Sequence, residues 1–300
     1  MNYTDIQRLS FIKYIFTMGL EQSIQPEPLC GISILQFHDS IELFLQLAFE
    51  KVGGNKSEVK FMEYWEEINK KLENKSLTQT ESMRKLNAAR VNLKHRGIIP
   101  SKLNVDIFKE STIDFFNENC SIVFNINFMD ISLIEIIKYK RIREILKEAN
   151  EYYNNNQHTE ALQNIALSFK YLLSDYEESK KNKFGDSIFD THDRFTFLSS
   201  FHLNLQDNET EKKLSKFVDK TIETIDEIKK NIKLLGFGIN YKKYIKFKSI
   251  VPTIINMVDG KPHFYQSSEK NFINKNDFDF CINFIVDTSL KLQEFDFEYK

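Results

Sequence analysis

From residue 31 to residue 54 the chain reads GISILQFHDSIELFLQLAFEKVGG, apolar almost all round a helical wheel and then halted by two glycines. Such a segment leaves little surface for water, which predicts a buried central helix. VKFMEYWEEINKKLE, 59–73, has the spacing of a second, amphipathic helix. Thr78 followed three residues later by Glu81 has the form of a capping box. The helix it opens, 79–95, carries Met83, Leu86, Ala89, Val91 and Leu93 and should stop at Gly97. After Pro100, VDIFKESTIDFFNENCSIVF predicts a fourth helix.

The register then changes. ISLIEIIKYKRIREILKEANEYY and HTEALQNIALSFKYLLSDYEESKK predict two helices joined by the polar turn NNNQ, an αα-hairpin without a repeat on either side. TEKKLSKFVDKTIETIDEIKKNIKLLG predicts a longer helix with charges spaced for i,i+4 pairing, and the GFG that follows reads as its stop. SIVPTIINMVDGKPHFYQ, with β-branched residues around Asp259-Gly260, predicts a small β-hairpin, and DFDFCINFIVDTSLKLQEF a closing helix. The expected fold is therefore all-α. A helical bundle over 1–128 precedes a helical domain over 129–300, suited to regulation or partner binding.

Composition narrows the classes. With 41% hydrophobic and 28% charged residues the chain is an ordinary globular one, and 9 Gly and 5 Pro are too few for a turn-rich β-sandwich. A net charge of −2 argues against coating nucleic acid by bulk charge, though a local basic site stays open. Cys30, Cys120 and Cys281 are far apart and form no CxxC pair, which supports neither a zinc cluster nor a disulfide framework and fits a cytoplasmic protein. No run approaches the length of a membrane span, and the start lacks a secretory pattern. The 27 Phe and 12 Tyr fall at core spacing along the helices and are assigned to packing.

Candidate chemistry centres on LNAARVNLKHRGIIPS, 86–101. Arg90 and His95 are five residues apart, so they sit about 140° apart round a helix and do not stack on one face. Near a helix end both can still reach a cleft closed by a second helix or subunit. There a neutral imidazole could take the proton of a ribose 2′-OH, which attacks the adjacent phosphate, while a guanidinium holds the charge growing on the phosphate oxygens. Lys94 and Arg96 could grip an RNA backbone. In the buried helix, His38, Asp39 and Glu42 interrupt an apolar run, and Asp39 or Glu42 pairing with Arg90 would satisfy both charges. His38-Asp39 and His192-Asp193 also invite comparison with metal phosphohydrolases, but no further acid–histidine spacing supports that ligand set, and no metal or other cofactor is expected. Arg194 and His202 are too far apart to repeat the Arg–His spacing.

RVNLKHRG, 90–97, together with the acid-bearing apolar helix, resembles the HEPN superfamily, whose members commonly carry Arg-Asn-x-x-x-His. The resemblance covers roughly residues 30–125. It implies an all-α fold, a homodimer that brings two Arg–His pairs into one cleft, and metal-independent endoribonuclease activity in antiviral defence, toxin–antitoxin modules or RNA processing. Because unregulated RNA cleavage is toxic, such an effector is expected to be restrained by a trigger or a partner such as a co-encoded regulatory or sensor protein. It makes Arg90 the phosphate-stabilising arginine and His95 the general base or acid. Val91 stands where the pattern usually has Asn, with Asn92 one place later as a supporting residue. Some members keep the fold and only bind, so the alternative is a non-catalytic adaptor or sensor module.

Overall fold

The computed structural model describes residues 3–55, 59–181, 209–256, 262–265 and 273–294, and these are overwhelmingly helical. The chain divides into two compact units, Met1–Ile136 and Ile137–Lys300.

The first unit is built round α2 (Ser33–Lys51), which packs against α1 (Tyr3–Ser23), α3 (Glu63–Asn69), α4 (Thr80–Arg96) and α5 (Lys102–Phe124). The expected central helix is thus present, with Phe37, Ile41, Phe44 and Leu45 fully buried. Rings dominate the core. Phe116 stacks on Phe128 at 4.0 Å between centroids, and Phe16 and Phe44 meet the edges of neighbouring rings. Gly19 lets α1 approach α2 closely, since a Cβ there would lie 2.7 Å from Phe37 Cε1.

Three local expectations change. The second helix is shorter than 59–73, because the Asn69 side chain turns to accept the Leu77 N–H beyond its end. The Thr78–Glu81 capping box does not form. Gln79, in the left-handed region, precedes α4, and the Thr78 N–H and hydroxyl both donate to Oδ1 of the buried Asn119 on α5. Residues 131–139 do not begin a long helix either. Ser10 Oγ donates to the Ser132 carbonyl, and Lys13 Nζ to those of Met129 and Ile131, so α1 side chains take the acceptors a helix would use. Those contacts carry the first unit past residue 128 to Ile136.

The second unit contains the expected αα-hairpin, α6 (Lys140–Asn154) and α7 (His158–Ser179), then α8 (Glu209–Gly236) and α9 (Tyr241–Ile250). α8 ends where the GFG reading placed its stop, with Gly238 at φ +69°. β1 (Thr253–Asn256) pairs antiparallel with β2 (Pro262–Tyr265), Ile254 opposite Phe264, and α10 (Lys275–Glu294) closes the unit. The Asp259-Gly260 turn lies outside the described residues, as do His192, Asp193, Arg194 and His202.

Candidate functional site at the end of α4

α4 ends as its sequence predicts. Gly97 adopts φ +66°, and its N–H bonds to the Leu93 carbonyl, a left-handed cap that a side-chain-bearing residue would strain. The last two turns therefore hold Arg90, Asn92, Lys94, His95 and Arg96 on a well-formed helix.

Helical spacing sorts these residues into two groups. Asn87, Arg90 and Lys94 fall on one stripe, which meets α2 at His38 and Asp39: Asn87 bonds His38, and Asp39 feels both cations. Val91 and His95, also four apart, lie on another face and are exposed, as is Arg96. Within one copy, the structure does not bring Arg90 and His95 to a common face. Asn92 is half-buried, and its backbone carbonyl accepts from the Ile98 N–H.

Arg90 is half-buried and its Nε, fully enclosed, has no hydrogen-bond partner. The expected ion pair between Arg90 and Asp39 or Glu42 does not form: among the described residues no carboxylate comes within 4.0 Å of the Arg90 guanidinium. Both acids turn to His38 on their own helix, where spacings of one and four residues put them in reach. His38 Nδ1 lies 3.7 Å from Asp39 Oδ1 and 3.7 Å from Glu42 Oε2. His38 holds the Asp39 carboxyl below the usual carboxylate range, with Lys94 and Arg90 contributing at longer range and partial burial opposing them. Lys94, His95 and Arg96 likewise form no ion pair among the described residues. The end of α4 is thus a cationic tip without a direct ion pair among the described residues, Asp39 acting on it only at longer range.

His38 itself is 2% exposed and stacks on Phe61 at 4.3 Å. Its Nε2 is 3.0 Å from Asn87 Oδ1. The sequence reading set His38-Asp39 beside His192-Asp193. In the fold it is Glu42, one turn further on, that joins them, a juxtaposition readable from helical period alone.

In the second unit a cavity of about 510 Å³ lies among α7, α8, α9 and β1, with Phe169, Tyr244 and Phe247 on its apolar side and Lys230 and Lys233 among its charged residues. The cavity is not legible in the sequence, because it exists only where α7 packs against the later run of α8, α9 and β1.

Compared with known proteins, the chain matches no family model, no curated protein and no solved structure.

Proposed function

We propose that the chain is a metal-independent endoribonuclease of the HEPN type, acting as an antiviral or toxin-like effector, with the cationic end of α4 as its phosphate-binding and catalytic element. The observation that carries this reading is the state of Arg90: a half-buried guanidinium with an enclosed Nε and, among the described residues, no acid in ion-pair range, beside Lys94 and Arg96, which form no ion pair there either. The enclosed Nε fixes the side chain in place, and the rest of the half-buried guanidinium offers N–H groups that match the acceptors of an RNA phosphate. His95, exposed one turn further on, serves as base for the 2′-OH and then as acid for the leaving oxygen.

Because Arg90 and His95 of one copy face different ways, the reading requires a second copy to complete the cleft. The surface beyond His95 suits that pairing. Ile98, Ile99, Leu103 and Ile107 are all more than half exposed, an apolar strip directly following the catalytic turn.

Induced expression of wild type beside Arg90→Ala and His95→Ala, with growth and total RNA followed, tests the proposal. Wild type should break RNA and arrest growth, and each substitution should lower cleavage at least about 100-fold, the scale of losing a general base or a charge-stabilising donor. Stable, folded substitutions that leave RNA cleavage intact would remove the ribonuclease reading in favour of a binding module.

A further inference from the structure

We propose that His38 Nδ1, Asp39 and Glu42 form a binding site for a divalent transition cation such as Mn²⁺. The inference goes beyond the ribonuclease reading and does not depend on it.

The three side chains occupy one turn of α2, and their ligand atoms all lie within 4.8 Å of one another. Clustered acids alone would say little. The imidazole says more. Asn87 presents its carbonyl oxygen to His38 Nε2 at 3.0 Å, and a carbonyl only accepts, so Nε2 carries the hydrogen. In the neutral ring Nδ1 then turns a lone pair toward two carboxylates, and three acceptors face one another. Nδ1 is enclosed and has no hydrogen-bond partner.

A positive species between them resolves the arrangement. A proton on Nδ1 would leave ion pairs of 3.7 Å with both carboxylates, longer than the roughly 2.7–3.2 Å of a hydrogen bond, whereas a metal would bind all three donors at once. A cation about 2.0–2.2 Å from each donor places adjacent donors about 3–4 Å apart, which accommodates the 3.7 Å from Nδ1 to each carboxylate. The Nε2–H bond to Asn87 is the outer-shell contact that metal-binding histidines use to fix ring orientation. One imidazole with two carboxylates suits Mn²⁺ or Zn²⁺ better than the all-oxygen preference of Mg²⁺ or Ca²⁺.

Access and charge are both defined. The buried imidazole forms the floor, while Asp39, 53% exposed, and Glu42, 37% exposed, form the mouth. Arg90 and Lys94 act on Asp39 from α4 and oppose cation binding, so the site binds more weakly than its ligand set would alone. The assigned role is positional: with Nδ1 coordinated, His38 and its bond to Asn87 hold α2 against the helix that bears Arg90.

Calorimetric titration of the full chain with MnCl₂, alongside the electron paramagnetic resonance signal of free Mn²⁺, tests the site. Wild type should bind one ion per chain. Glu42→Gln and Asp39→Asn, at partly exposed positions, should keep the helicity and metal-free melting of wild type and weaken Mn²⁺ binding at least about 10-fold. Asn87→Ala should weaken it about 10–100-fold by releasing the ring. Absence of Mn²⁺ binding in wild type, or equal binding in the Glu42→Gln and Asp39→Asn proteins, overturns the proposal. Since the readout is metal binding, its failure leaves the ribonuclease test untouched.

Discussion

Cys120 lies on α5 with no exposed surface, and Cys281 on α10 is equally enclosed. Burial pushes both thiols up to about 12; at Cys281 the Asp277 carboxylate adds to the rise and Lys246 opposes it. At neutral pH neither holds an appreciable thiolate, the form that reacts. Cys30 is buried as well. A disulfide reagent should therefore leave the native protein unmodified for as long as it stays folded, and all three thiols should react at once in denaturant. Rapid labelling of any one in the native state would show that its surroundings open. Arg90 illustrates the same rule from the opposite side. Its residue type was readable as a candidate, but only the fold shows that its Nε is enclosed without a partner while the acids expected to pair with it are held by His38.

Helices α1 and α2 meet through Gly19, whose missing side chain admits the Phe37 ring. Gly19→Ala would put a methyl 2.7 Å from Phe37 Cε1 in a packed interior. It should cost about 1–3 kcal/mol, the scale of overpacking, seen as a lower denaturant midpoint with an unchanged slope. An unchanged midpoint would mean that Phe37 has room to move. The element scale is also where local signals fail most instructively. Thr78 and Glu81 have the right spacing for a capping box, yet Asn119, forty-odd residues away, takes the Thr78 donors. Gly97 has no such competitor, and α4 stops there as its sequence predicts.

At the scale of the molecule, the first unit extends to Ile136 because the segment after α5 folds back on α1. Ile131, Leu133 and Ile134 are buried there, and each buried aliphatic side chain contributes about 1.5–3 kcal/mol. A fragment of residues 1–136 should melt cooperatively with strong helical circular dichroism, whereas 1–128 should lose most of that cooperativity. Equal melting of the two would place the boundary at 128. No helix among the described residues is long and apolar enough to cross a membrane.

The sequence by itself determined the helical class, the buried α2, the αα-hairpin, the Gly97 and GFG stops and the terminal hairpin pairing, all set by periodicity or by backbone rules acting within a few residues. It also placed His38, Asp39 and Glu42 within one helical turn. Tertiary structure alone decided which donors meet which acceptors: Thr78 with Asn119, Lys13 with the 129 and 131 carbonyls, His38 with Asn87, and Arg90 Nε with none among the described residues. Hydrogen bonding depends on distances of a few tenths of an ångström between groups remote in the chain, and helical periodicity carries no information at that range.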